Sequence, residues 1–174
     1  MKTHFIFIRH GEPRYDEVSV KWNKSIGYNF GKLSDNGVDQ AEEVAKNEIL
    51  KGAEIIVSSP YTRALQTAAI ISRVTGIKLT VENELHEWNP DEGYIFDDET
   101  NGSFEEYLKN RGVHQIGDKH RFETYEDVQK RVELTLMKYK TYKKVIVVCH
   151  GIVISAVTNF DDVIEHCGIR EVDI

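Results

Sequence analysis

The apolar residues of this chain fall into short runs whose spacing alternates between strand-like and helix-like. Runs rich in β-branched residues predict buried strands, because a strand covered on both faces is apolar without alternation. Such strands are expected over residues 4–8, 55–57, 78–81 and 145–149, with a last one over 169–174.

Apolar residues three or four positions apart predict helices between these strands. One helix begins at Ser34 and includes Ile49, and a second runs over 62–75 with Gly76 as its stop. A third begins at Thr124, where Asp127 completes a capping-box pattern, and continues to Tyr139. A helix after His150 is expected to end near Asn159.

Two stretches lack a regular pattern. Residues 12–33 predict a long loop with one possible helical turn, and loops of that length are usually functional. Residues 84–123 predict a short cap or lid segment with one helix near 103–110. Ten Asp and Glu but no Lys or Arg lie between Lys78 and Lys109. A solvated acidic face explains this excess better than a cation site.

The alternation of strands and helices predicts an α/β fold with a mainly parallel sheet that helices cover on both faces. A length of 174 residues fits a single domain over 1–174. Ligands of such sheets bind at the carboxyl ends of the strands. The residues that directly follow each strand are therefore the first candidates for a functional site.

Charge and composition narrow the classes of function. The chain has 29 acidic and 22 basic residues and a net charge of −7, which disfavours nucleic acid as a partner. No apolar run approaches the roughly 20 residues of a membrane helix, and the N-terminus lacks a signal-peptide pattern. Two cysteines give no disulfide framework, so a reducing cytoplasmic location is expected.

Basic side chains follow three of the predicted strands. Arg9 and His10 follow the first, Arg63 lies in the helix after Ser58-Ser59-Pro60, and His150 follows the strand over 145–149. Arginine presents a planar fork of donors that suits phosphate. The strand ends therefore predict a phosphate-sized site.

The same residues predict a chemistry. A neutral imidazole is a good nucleophile near neutral pH, and a nearby Arg9 favours the neutral form of His10. His150 is a candidate donor to a phosphoryl oxygen. The leaving alkoxide needs a proton, and Glu87 is the candidate acid.

Five separated motifs resemble the histidine phosphatase superfamily, in the branch similar to cofactor-dependent phosphoglycerate mutases. They are RHGE at 9–12, LSDNGVDQA at 33–41, SSPYTRALQTA at 58–68, Leu-x-Glu at 85–87 and VCHG at 148–151. The resemblance spans nearly the whole chain, and five motifs in order are far more specific than RHG alone.

This resemblance implies a three-layer α/β/α sandwich with a mostly parallel sheet. It implies that His10 becomes phosphohistidine, that Arg9, Arg63 and His150 form the phosphate pocket, and that Glu87 acts as general acid and then as base. It implies no metal and no cofactor. The expected function is hydrolysis of a small phosphomonoester, with release of phosphate.

Two further residues are candidates for substrate binding. Arg14 is expected either to reach the part of the substrate beyond the phosphate or to serve on the surface. Ser59 is expected either to donate its hydroxyl to the phosphate or to form an ordinary turn before Pro60. Relatives often carry Asn where this chain has Asp16, so Asp16 is expected to point away or to lie in a rebuilt loop; Asn23 and Asn29 are possible substitutes.

Three other functions compete with hydrolysis. Mutase-type phosphotransfer is disfavoured by the short segment before Thr124, because a mutase must shelter its phosphoenzyme from water. A non-catalytic phospholigand-binding member is disfavoured by the complete His–Arg–Arg–His–Glu set. A metallohydrolase using His10, His150 and Glu87 is disfavoured because two arginines repel a dication.

Overall fold

The computed structural model describes residues 2–18, 24–92 and 102–174. Its strands are β1 His4–Arg9, β2 Pro13–Arg14, β3 Lys32–Leu33, β4 Ile55–Ser58, β5 Leu79–Val81, β6 Lys144–Cys149 and β7 Ile169–Asp173. Its α-helices are α1 Lys24–Asn29, α2 Asp35–Val44, α3 Thr62–Thr75, α4 Ser103–Lys109, α5 Tyr125–Met137 and α6 Gly151–Ser155. Short 3₁₀ helices lie at Glu48–Leu50 and Asn83–Leu85.

A five-stranded sheet with the order β5-β4-β6-β1-β7 forms the middle layer. Its strands pair in parallel except for β7, which runs antiparallel to β1. Strands β2 and β3 form a separate antiparallel pair. The predicted mostly parallel sheet is therefore confirmed, with an antiparallel edge strand.

Helices cover both faces of this sheet, because successive side chains of a strand point to opposite faces. Phe5 and Phe7 pack into a core cluster with α5 and α6 residues such as Val132 and Ile154. Their β1 neighbours Ile6 and Ile8 pack into a second cluster on the other face. That cluster includes Ala64, Ala68 and Ile71 of α3. The three-layer α/β/α sandwich is thus confirmed.

Several element boundaries differ from the sequence prediction. Helix α2 ends at Val44, because Asn47 caps a new 3₁₀ helix by accepting a hydrogen bond from the Ile49 N–H at 3.0 Å. Helix α6 ends at Ser155 rather than near Asn159. The Asn159 side chain accepts from the Asp161 N–H at 3.2 Å, a local turn that competes with the helix.

The remaining predictions from pattern are largely met. The long loop over 12–33 contains the expected helical turn as α1, and also the short β2–β3 pair, which the pattern did not predict. Helix α4 lies where the short helix of the 84–123 segment is expected.

Both cysteines are free, and no helix within the described ranges is long and apolar enough to cross a bilayer.

Candidate active site

The strand register brings the two predicted histidines together. In the β1–β6 ladder Arg9 pairs with Cys149, so His10 and His150 follow adjacent strands at the same level. The His10 N–H donates to the Cys149 carbonyl at 3.0 Å, and the two imidazole rings meet edge to face at 5.2 Å. His10 is 4% exposed and His150 is fully buried.

The hydrogen bonds of His10 define its tautomer. Nδ1 lies 2.8 Å from the Gly11 carbonyl oxygen, which only accepts, so Nδ1 carries the proton. Nε2 lies 3.1 Å from the Arg63 Nε, which only donates, so Nε2 presents its lone pair. The nitrogen available to attack an electrophile is therefore Nε2, on the side where the guanidinium lies.

Arg63 enters the site from the first turn of α3. Besides its bond to His10, its guanidinium donates from an Nη to the Tyr28 carbonyl at 3.0 Å and lies 5.2 Å from the centre of the Tyr61 ring. Burial lowers the pKa of His10 to about 3, and the Arg63 charge adds to this effect more strongly than Arg9 does. The neutral form expected from sequence is supported, with Arg63 rather than Arg9 as the main neighbouring charge.

His150 is held by Ser59 at the end of β4. Ser59 Oγ lies 2.7 Å from His150 Nε2 and also accepts from the Tyr61 N–H at 3.2 Å. His150 Nδ1 is buried and makes no hydrogen bond with any part of the chain that the structure describes. Burial, and then the Arg63 charge, hold the pKa of His150 well below its usual value. Ser59 therefore contacts His150 in this structure, and Nδ1 remains available to a ligand.

Arg9 ends β1 beside His10. One of its Nη atoms donates to the Ile164 carbonyl at 2.5 Å. Its Nε is buried and has no hydrogen-bond partner among the described residues. A buried guanidinium N–H without a partner is costly, so Arg9 offers an unsatisfied donor at the strand end.

The motif at 9–12 docks directly against the start of α2. A Cβ at Gly11 would lie 2.5 Å from the Gly37 carbonyl oxygen, so only glycine allows this approach. The Glu12 carboxylate accepts from Ser34 Oγ at 2.6 Å and from Asn36 Nδ2 at 3.1 Å. The motif at 33–41 therefore anchors the loop that follows the candidate nucleophile.

Glu87 lies in the segment after β5, two residues beyond the 3₁₀ helix Asn83–Leu85. Its carboxyl interacts electrostatically with Arg63 and Arg9, and Oε1 accepts from the Trp88 N–H at 2.9 Å. Burial outweighs these favourable contacts and raises the pKa of Glu87. A raised pKa favours the protonated carboxyl, the form that a general acid needs.

Arg131 of helix α5 and Glu123, which lies just before that helix, hold the segment that carries Glu87. Arg131 donates to the His86 carbonyl at 2.9 Å and to the Glu84 carbonyl, and its Nε lies 2.5 Å from a Glu123 carboxylate oxygen. Trp88 is 8% exposed and donates its indole N–H to the Glu123 carbonyl at 2.7 Å. These contacts fix the backbone on both sides of Glu87.

Arg14 and Asp16 form an ion pair. Arg14 donates from Nε and an Nη to the two Asp16 carboxylate oxygens at 2.8 and 2.6 Å. The Asp16 side chain is 62% exposed. Asp16 thus pairs with a neighbouring arginine at the surface, and whether it avoids a bound phosphate stays a prediction. Asn23, one suggested substitute, lies outside the described residues.

The structure adds one residue to which sequence analysis assigned no chemistry. The His166 ring lies 5.6 Å from the His10 ring, tilted by 39°. No ligand spacing in the sequence relates residues 10 and 166, because only the pairing of β7 with β1 brings them together. No group of three or more His, Cys, Asp or Glu side chains in the described ranges is arranged to hold a metal ion.

Comparisons with known proteins identify a family and a curated relative. The model of the histidine phosphatase superfamily (branch 1) matches residues 5–160. A curated relative from Hydrogenobacter thermophilus, named "Putative phosphoserine phosphatase 2", is 30% identical over 151 residues, which cover 83% of this chain and 71% of the relative.

Solved structures show the same fold. A mycobacterial glucosyl-3-phosphoglycerate phosphatase superimposes with a TM-score of 0.72 at 20% identity, over 99% of this chain and 91% of the other. A phosphoglycerate mutase from Bacillus anthracis superimposes with a TM-score of 0.70 at 18% identity, over 99% and 88%. At these identities the likeness concerns the fold alone.

Proposed function

The chain belongs to the histidine phosphatase superfamily (branch 1), and on that premise we propose that it hydrolyses a small phosphomonoester through a phosphohistidine on His10. The observation that carries the proposal is the state of His10. Its Nδ1 proton is held by the Gly11 carbonyl, and its Nε2 lone pair faces the Arg63 guanidinium. A buried neutral imidazole beside a phosphate-binding cation suits nucleophilic attack on phosphorus.

The first step transfers the phosphoryl group to the enzyme. His10 Nε2 attacks phosphorus as the bond to the ester oxygen breaks, and the leaving oxygen takes the proton of the Glu87 carboxyl. The ring becomes positively charged, and the Gly11 carbonyl stabilises this charge through the Nδ1 proton. Burial raises the pKa of Glu87, which favours the protonated carboxyl that this step needs.

The second step returns His10 to its neutral form. The Glu87 carboxylate accepts a proton from water, the water oxygen attacks phosphorus, and the Nε2–phosphorus bond breaks. Phosphate leaves, and Glu87 is again protonated. One carboxyl thus serves as acid and then as base, and the cycle needs neither a metal nor a cofactor.

Three side chains bind the phosphoryl oxygens in this mechanism. Arg63 moves from the Nε2 lone pair to an oxygen of the bound group, Arg9 offers its unsatisfied Nε, and His150 offers Nδ1. Ser59 orients His150 rather than supplying a separate donor, because its hydroxyl contacts His150 Nε2. Donors aimed at the charge of the transition state lower the barrier to phosphoryl transfer.

The substrate is a small phosphomonoester with few further negative charges. The relative from Hydrogenobacter thermophilus makes phosphoserine the first compound to test. Acidic residues of the segment 84–123, acting as a cap, disfavour highly anionic substrates. Arg14 binds the part of the substrate beyond the phosphate when that part replaces the Asp16 carboxylate as its partner.

The experiment measures phosphate release from a panel that includes phosphoserine and 3-phosphoglycerate, with a strong chelator present and with and without a bisphosphorylated primer. We expect release that needs neither metal nor primer, and acid-labile, base-stable phosphate trapped on the wild type but not on His10→Asn. Primer-dependent isomerisation without release would indicate a mutase. Binding without any trapped phosphate would indicate a non-catalytic member.

A further inference from the structure

The candidate nucleophile lies between two other imidazoles. His150 meets the His10 ring edge to face at 5.2 Å, and His166 meets it at 5.6 Å with a tilt of 39°. Whereas His10 and His150 are buried, His166 is partly exposed. His166 is therefore the imidazole of the three that lies towards solvent.

The backbone holds His166 at this place. The N–H of the next residue, Cys167, donates to the Arg9 carbonyl at 3.0 Å and to the His10 carbonyl at 3.3 Å. The Arg9 N–H donates to the Gly168 carbonyl at 3.1 Å. Cys167 adopts a φ of 56°, a left-handed conformation that is unfavourable for a residue with a side chain. Such strain persists where surrounding contacts impose it, and here the contacts are with the two residues of the nucleophile motif.

Neither ring nitrogen of His166 has a hydrogen-bond partner in the described ranges of the chain, and only burial and the charges of Arg9 and Glu12 act on its pKa. The ionisable groups that face it are Arg9 and His10 at the end of β1 and Glu12 in the next loop, while Glu165 of its own loop interacts with Arg9. An imidazole with free nitrogens beside the nucleophile can donate to the same phosphoryl group.

We propose that His166 is a third phosphoryl-binding imidazole of this site and that it takes up a proton when phosphate or a phosphomonoester binds. The inference rests on the proposed function, because it assumes that phosphate lies against His10. Burial, and then the Arg9 charge, lower the pKa of His166 from its usual value, so the ring of the free enzyme is neutral at neutral pH. A bound dianion favours the imidazolium and would draw a proton onto the ring.

The test compares inorganic phosphate binding to the wild type, His166→Asn and His166→Phe at pH 5.5 and pH 8. Asparagine keeps a neutral donor but cannot titrate, and phenylalanine keeps a ring without donors. We expect His166→Asn to bind phosphate about tenfold more weakly at pH 5.5 and within about twofold of the wild type at pH 8, the scale of one charge-assisted hydrogen bond. His166→Phe should bind more weakly at both pH values. The titration of phosphate itself is common to all variants and cancels in these ratios.

A direct readout is the imidazole C–H resonance that disappears in His166→Asn. Its pKa should rise when phosphate is added to the wild type. The matched control is His4→Asn at the opposite end of β1, where the ring contacts Asp173 and Glu171, and it should leave phosphate binding unchanged. The inference would be overturned if the ratio of phosphate affinities between the wild type and His166→Asn were the same at both pH values. It would also be overturned if the pKa read from this resonance did not change when phosphate is added.

The inference and the proposed function fail in different ways. If the wild type releases phosphate from esters and forms phosphohistidine while both His166 variants bind phosphate normally, only the inference on His166 is wrong. If the wild type neither turns over esters nor binds phosphate, the proposed function fails and the inference fails with it.

Discussion

Burial shifts the pKa values of the strand-end histidines, His10 and His150, in one direction and that of Glu87 in the other. Burial lowers the pKa of His10 and His150, and the Arg63 charge reinforces this. Burial raises the pKa of Glu87, and Arg63 opposes this. Burial therefore favours the uncharged form of the two imidazoles and also that of the carboxyl. Groups whose environments push their pKa values apart are the expected acid and base of a mechanism.

The two regions also differ in what holds them. Backbone pairing of β1 with β6 fixes His10 against His150, and the ladder cannot shift without breaking the sheet. Glu87 depends on side chains instead, above all on Arg131 and Glu123. Because different contacts hold them, His10 and Glu87 can be perturbed separately.

The largest expected effect comes from removing the acid alone. Glu87→Gln should slow first-turnover release of an alkyl leaving group by about 10²–10⁴-fold, because an alkoxide needs a proton. First-turnover release of a nitrophenolate should change little, since that leaving group departs without one. Glu84→Gln, an exposed acid three residues away, is the control. Equal losses with both leaving groups would show that Glu87 does not protonate the ester oxygen.

Removing the Arg63 guanidinium should lower the turnover of esters with either leaving group by the same factor. Arg63→Ala should lower turnover by about 10²-fold, the scale for losing one preorganised donor. It should also raise the pKa of His10, because Arg63 is the strongest neighbouring charge on that ring. Turnover measured against pH gives both values. Arg73→Ala is the matched control, since Arg73 lies on the same helix and pairs with Glu42 at the surface; a comparable loss there would assign the effect to α3 instead.

The opposite pKa shifts predict opposite dependences of stability on pH. The folded-state pKa of His10 is about 3, below its unfolded value, so the unfolded chain binds more protons and stability falls as pH falls below about 6.5. His10→Gln should remove about 2–3 kcal/mol of the stability loss between pH 7 and pH 4.5.

The contribution of Glu87 to stability should depend on pH in the opposite direction. Its folded-state pKa lies above its unfolded value, so its contribution is present at low pH and is lost as pH rises through the raised pKa. Urea unfolding across pH measures both effects. If His10→Gln and Glu87→Gln changed the pH dependence in the same direction, the comparison between the two regions would be broken.

The smallest expected effect concerns the aromatic cluster behind the acid. Tyr107 packs at 4.8 Å from Trp88, and its buried hydroxyl makes no hydrogen bond with the described residues. Tyr107→Phe should raise the free energy of unfolding by about 1 kcal/mol, because an unpaired buried hydroxyl is destabilising. Tyr125→Phe should lower it by about as much, since that hydroxyl donates to the Ser155 carbonyl at 2.6 Å. Denaturant unfolding of the pair provides the measurement; a loss in Tyr107→Phe would indicate a partner for its hydroxyl.

Much of the fold was predictable because its signals are local. The β-branched runs of β1, β4 and β6 and the apolar spacing of α3 and α5 depend on near neighbours in sequence, and their positions agree with prediction. The ends of α2 and α6 were not predicted, since side chains of Asn47 and Asn159 there outweigh apolar spacing.

For the candidate site, sequence analysis identified the side chains that follow the strands, Arg9, His10, Arg63 and His150, and predicted Glu87 as the acid. Only the folded structure shows that Ser59 contacts His150, that Arg63 lowers the pKa of His10 more strongly than Arg9 does, and that the His166 ring lies beside His10. Residue identity and spacing are properties of the chain. Ring contacts and pKa shifts arise only where folding removes water and brings together groups distant in sequence, such as Arg63 and His10, 53 positions apart, or Ser59 and His150, 91 positions apart.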